Sequence, residues 1–139
     1  MTPALLDTGC IVALLDRSER SHRVCASAIE AIEGPLITCE AVVTEACYLL
    51  RSVSGAAEAI LENVAVGAFQ IPFRLTSAAQ PVRRLMHLYR SVPMDFADAC
   101  LVHMATELGT GSILTLDDDF DVYRWGKSQP FERLVDRGT

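Results

Sequence analysis

The chain has 139 residues, half of them apolar, with twelve Lys and Arg against eighteen Asp and Glu for a net charge of −6. A chain this long buries about two-thirds of its unfolded surface, so one domain over residues 1–139 is expected, and disorder, collagen-like repeats and a coiled-coil rod are excluded. The acidic excess argues against a protein that coats DNA regardless of sequence, and no apolar run reaches the about 18 residues of a membrane span.

Ala4 to Asp7 is a short apolar run ending in a carboxylate, and it reads as a first strand that turns into a helix at Asp7, with Ile11 to Leu15 in helical pattern. Asp7 also cuts this run before it could serve as a signal-peptide core. A second helix is expected from about Ser21 to Glu33, ended by Gly34 and Pro35 before a strand Leu36 to Thr38. Helical spacing then runs from Glu40 to Val53 and from Ala56 to Val66. Phe69 to Phe73 looks like a strand near an edge, because Pro72 interrupts it. Ser77 to Tyr89 is a further helix, with Pro81 tolerated as a first-turn residue. After a turn at Val92 and Pro93 comes a helix Asp95 to Leu108, then a strand Ile113 to Leu116, a carboxylate run Asp117 to Asp119 opening a helical turn, and a last strand within Phe131 to Val135. Strands alternating with helices indicate an α/β fold, a three-layer α/β/α sandwich with a mainly parallel central sheet. The cysteines Cys10, Cys25, Cys39, Cys47 and Cys100 form no CxxC pair and read as small core residues kept reduced, which points to the cytoplasm.

Ligands gather at the carboxyl ends of strands in an open parallel sheet, where Asp7 and Asp117 fall. Either alone is more simply a helix cap. Glu45 is sharper, since Val42 and Leu49 on one side and Ala41 and Tyr48 on the other lie within about 60° of it on a helix, so its carboxylate should point at the core. Asp98 repeats the pattern, with Met94, Leu101, Ala105 and Leu108 within about 80°. A buried salt bridge to an Arg explains one such acid better than two, because neither helix carries a Lys or Arg at i±3 or i±4. Glu40 and Glu58 are expected to be solvated. Acids from separate segments aimed at one end of a sheet repel one another unless cations intervene, and all-oxygen donors suit Mg²⁺ or Mn²⁺. Such ions activate water and stabilise charge on phosphorus, so the implied substrate is a phosphodiester.

Asp7-Thr8-Gly9 after a strand, Val43-Thr44-Glu45 in a helix, Pro93 to Ala99 and Leu114 to Phe120 resemble, in order, the acidic motifs of PIN-domain proteins, and among these the VapC-type ribonuclease toxins. The resemblance implies a Mg²⁺ or Mn²⁺ site and endonucleolytic cleavage of RNA to a 5′-phosphate and a 3′-hydroxyl. Carried over, Asp7, Glu45, Asp98 and Asp117 are the acidic quartet, with Glu45 orienting the attacking water or sharing the metal. Thr8 and Thr115 are polar neighbours that orient water or carboxylate. Asp119 holds a second metal or caps the following turn, and Asp95 supports the ligands or starts its helix.

Arg51, Arg74, Arg83, Arg84, Arg90, Arg124 and Lys127 are candidates for RNA phosphate, with Tyr89, Tyr123 or Trp125 for stacking, although an ordinary surface role is the better expectation for each. His22, His87 and His103 read as packing or surface residues. The resemblance further implies a homodimer, with Ala41 to Leu50 or Ala56 to Val66 as interface or core, and a cognate antitoxin. A PIN-like module that binds metal or a partner without cutting is the alternative. Receiver and phosphatase readings rank low, because Gly9 stands where a DxD phosphatase has an acid and no Lys precedes Lys127.

Overall fold

The computed structural model describes residues 1–135. Its main sheet has five parallel strands, β1 (Ala4–Leu6), β2 (Leu36–Ile37), β3 (Phe69–Gln70), β4 (Ser112–Leu114) and β7 (Glu132–Arg133), in the order β3-β2-β1-β4-β7. Register pairs Leu5 with Ile37 on one side and with Ile113 on the other, so β1 is the central strand. Its residues are fully buried, as expected for a strand covered on both faces. Among the described residues six helices flank the sheet: α1 (Thr8–Leu15), α2 (His22–Glu30), α3 (Glu40–Leu49), α4 (Ala56–Ala65), α5 (Leu75–Leu88) and α6 (Phe96–Leu108). The expected α/β architecture is therefore present, and the strand order reverses between β1 and β4.

Local sequence explains where the elements start and stop. Asp7, in extended conformation, accepts from the Thr8 N–H and opens α1; Asp95 accepts from the Asp98 N–H and opens α6. Gly109 takes the left-handed conformation that ends α6, its N–H bonded to the Ala105 carbonyl at 2.8 Å. The core beneath is built from Leu5, Leu6, Ile11, Val42, Ile60, Leu101, Val102, Ile113, Leu114, Phe120 and Tyr123, each contributing about 1.5–3 kcal/mol by burial. All five thiols are free, and Cys10 and Cys25 touch in the core with sulfurs 3.6 Å apart.

Four details depart from expectation. The helix after β2 stops at Leu49 rather than Val53, because Leu50 leaves the helical region and the chain turns through Val53. Residue 72 being proline, β3 is cut to Phe69–Gln70. α5 begins at Leu75, which puts Pro81 in the middle of a 14-residue helix rather than in its first turn. A short antiparallel hairpin, β5 (Arg124–Trp125) with β6 (Gln129–Pro130), was not foreseen; Gly126 and Ser128 at positive φ make its turn.

Candidate metal centre

β1 and β4 lie side by side at the point where strand order reverses, and their carboxyl ends carry Asp7 and Asp117. A crevice opens there by topology alone, because the chain leaves the two strands in different directions. The Asp7 N–H still bonds to the Leu114 carbonyl at 3.0 Å, so the sheet holds Asp7 rigidly as the chain leaves it. α6 brings Asp98 to the same place. Asp7, Asp98 and Asp117 each offer a carboxylate oxygen, and these oxygens lie within 4.8 Å of one another.

Each acid is oriented by a specific donor. The buried Thr115 hydroxyl donates to Asp7 Oδ2 at 2.7 Å and accepts from the Asp117 N–H at 3.0 Å, tying the two strand ends together. Asp7 Oδ1 takes the Thr8 N–H at 2.8 Å. The Tyr123 hydroxyl donates to Asp98 Oδ2 at 2.9 Å. Asp117 Oδ1 accepts from the Asp119 N–H at 2.9 Å.

Electrostatics are unfavourable as they stand. Asp7 and Asp98 are only 6% exposed, and among the described residues no Lys or Arg pairs with either. Burial pushes the Asp7 carboxyl up to about 6, helped by the charges of Asp117 and Glu45 and opposed by the Thr115 and Thr8 hydrogen bonds. Burial likewise raises Asp98 to about 8, with Asp7, Asp95 and Asp117 adding repulsion against the relief from Tyr123. Crowded, undercompensated carboxylates of this kind fit a hard divalent cation. The Thr8 hydroxyl is buried beside Asp7 without a partner among the described residues, as a group reserved for a ligand or its water would be.

The expected arginine alternative for Asp98 does not hold, since its partner is the Tyr123 hydroxyl. Glu45 needs correction: it is exposed, because the buried stripe of α3 is Val42 and Ala46, continued by Leu50 just past its end, while Tyr48 and Leu49 are open to solvent. It stands outside the cluster of three, near enough for its charge to act on Asp7. Asp95 is the side-chain cap of α6. The cap of the 3₁₀ turn Asp118–Asp121 is Asp117 rather than Asp119, whose carboxyl is raised by partial burial and by the neighbouring acids. Glu40 and Glu58 are exposed, as expected.

All three stacking candidates have structural roles instead. Tyr123 is buried, edge-on to Phe120 at 5.0 Å and to Tyr89 at 5.2 Å, and Tyr89 spends its hydroxyl accepting the Arg124 N–H. Trp125 donates from Nε1 to the Pro130 carbonyl at 3.1 Å and packs on Gly111 so closely that a side chain there would collide with it. Sequence singled out Tyr123 for stacking and missed its place beside Asp98. A tyrosine following a carboxylate run carries no pattern that ties it to an acid 25 positions earlier.

A model of the PIN domain family matches residues 4–126. Ribonuclease VapC26 of Mycobacterium tuberculosis is 29% identical over 115 residues, covering 81% of this chain and 85% of that protein. The crystal structure of Mycobacterium tuberculosis VapC20, a sarcin-ricin loop cleaving toxin, superposes with a TM-score of 0.78 at 16% identity, over 86% of this chain and 93% of the other.

Proposed function

The chain belongs to the PIN domain family, and from that premise we propose that it is a Mg²⁺- or Mn²⁺-dependent endoribonuclease, the toxin of a toxin–antitoxin pair. The observation that carries the reading is the convergence of Asp7, Asp98 and Asp117, undercompensated and mostly buried, at the strand-order switch. Similarity to a ribonuclease over four-fifths of the chain supports RNA as the substrate.

Asp7, Asp98 and Asp117 would hold the ion. When bound, a divalent cation supplies activated water and offsets charge developing on phosphorus. Thr115 fixes the Asp7 carboxylate and the Asp117 backbone in one unit, so the donor positions need no rearrangement before reaction. The Tyr123 hydroxyl donates a hydrogen bond to Asp98 Oδ2, which fixes that carboxylate and favours its charged form. Glu45, exposed on α3 with its charge acting on Asp7, would orient the attacking water. In-line attack on phosphorus would leave a 5′-phosphate and a 3′-hydroxyl.

Purified protein with Mn²⁺ should cleave structured RNA and stop on addition of EDTA. Asp7→Asn or Asp98→Asn should lower the rate by at least about a thousandfold, a loss of about 4 kcal/mol in transition-state stabilisation. An Asp7→Asn protein that cuts at the wild-type rate sinks the assignment. A non-cutting PIN-like module remains the contrasting reading, and it predicts metal binding with no RNA products.

Partners follow from the same reading. Tyr48 and Leu49 on α3, Leu61 on α4 and Val66 just after it expose large apolar surfaces, consistent with a partner copy covering this helical pair. A cognate antitoxin would neutralise the acidic centre with a basic side chain. Among the described residues no helix is long and apolar enough to cross a membrane, and the free, mostly buried thiols fit a reducing cytoplasm.

A further inference from the structure

A cleft of about 440 Å³ lies on the carboxyl side of β2 and β3, apart from the acidic cluster. Its walls are Glu40 at the start of α3, Phe73 and Arg74 after β3, Leu75 at the start of α5 and Phe96 at the start of α6. Three chemistries meet here. Phe96 is 40% exposed and Leu75 45%, which leaves an aromatic and an aliphatic face open to solvent beside the partly buried Phe73. α5 begins without a side-chain cap, so its first N–H groups are open to an anion, whereas those of Ala41 and Val42 at the start of α3 face the Cys39 sulfur; Arg74 adds an exposed guanidinium that makes no ion pair among the described residues. Glu40 is the one carboxylate of the cleft and has no cation bound to it.

Aromatic faces with anion-seeking backbone describe a place for a nucleotide. The acidic centre lies on the other side of the same helix tip: Phe96 projects about 160° round α6 from Asp98. A helix is about 10–12 Å across, which a single strand spans in about two or three nucleotides. We infer that this cleft is a base-binding subsite for single-stranded RNA, two or three nucleotides from the cleaved phosphodiester, with Phe96 as the stacking platform and Glu40 selecting guanine. The inference rests on the ribonuclease reading. Guanine is chosen by donor count. Its Watson–Crick edge presents N1–H and the exocyclic amine side by side to a carboxylate, whereas adenine and cytosine oppose a lone pair to it and uracil offers a single N–H between carbonyls. Arg74 and the open start of α5 receive the phosphate of that nucleotide.

Two measurements on the full chain test the subsite. In the first, protein with Mn²⁺ is given single-stranded RNA with randomised central positions, and product ends are sequenced. Guanine should be enriched at one fixed position two or three nucleotides from the cut. Glu40→Gln should flatten that enrichment, and Phe96→Ala should raise KM about tenfold with little change in kcat. In the second, fluorescein-labelled hexaribonucleotides differing only by one G or A are titrated into the Asp7→Asn/Asp98→Asn protein, which does not depend on cleavage. Phe96→Ala in that background should weaken binding about tenfold, and Glu40→Gln should erase the preference for G. Cleavage without any base preference away from the cut, or hexamer binding unchanged by both substitutions, overturns the subsite and leaves the nuclease reading standing. Guanine-selective binding with no RNA cleavage keeps the subsite and refutes the nuclease reading.

Discussion

Thr115 and Tyr123 show how two hydroxyls decide what the acids can do. Thr115 serves both strand ends at once, donating to Asp7 and accepting from the Asp117 N–H. Replacing it with valine leaves a backbone donor and a carboxylate unsatisfied together, at a cost of about 1–3 kcal/mol in stability measured by urea denaturation. Tyr123→Phe removes the one interaction that lowers the pKa of Asp98, so that carboxyl should move further up. The expected result is a pH–rate profile displaced to higher pH, with the fold intact by circular dichroism. An unmoved profile would show that the hydroxyl does not orient or tune Asp98.

At the scale of elements, α5 carries an avoidable defect. Pro81 sits in its interior, where it can neither donate to the Ser77 carbonyl nor fit against it without strain. Pro81→Ala should stabilise the protein by about 1–2 kcal/mol, the helix gain being partly offset by a more flexible unfolded chain. A lower midpoint in denaturant would contradict this. The hairpin β5–β6 has the opposite character. It lays Trp125 over Gly111 at the end of α6, so Gly111→Ala should displace the indole and cost about 1–3 kcal/mol, visible as a change in tryptophan fluorescence.

For the whole molecule, proton and metal compete for one pocket. Asp7 and Asp98 hold their protons to about 6 and about 8 when folded, against 3.8 for a free aspartate carboxyl. Between those values the native state binds more protons than the unfolded chain, so stability falls as pH rises from about 4 to about 8. Metal-free protein should therefore be less stable at pH 8.5 than at pH 5.5, by about 2–5 kcal/mol from these two groups. Mn²⁺ should reverse the trend, adding about 2.7 kcal/mol at a hundred times its Kd, and its affinity by calorimetry should weaken as pH drops from 8 to 6. A metal-free melting temperature that rises with pH over this window would contradict the linkage.

Sequence by itself determined the alternation of strands and helices, the placement of Asp7 and Asp117 at strand ends, and the burial of Asp98, because these follow from local apolar periodicity and from capping. The same periodicity misjudged Glu45. Four apolar neighbours on α3 looked like a core face, yet only tertiary packing decides which side of a helix is covered, and Val42, Ala46 and Leu50 took that side. The distance between the three aspartates, the tyrosine that holds one of them and the cleft shared by three helix starts were likewise decided by the fold alone. Each depends on strand order, which joins residues far apart in the chain and leaves no trace in local spacing.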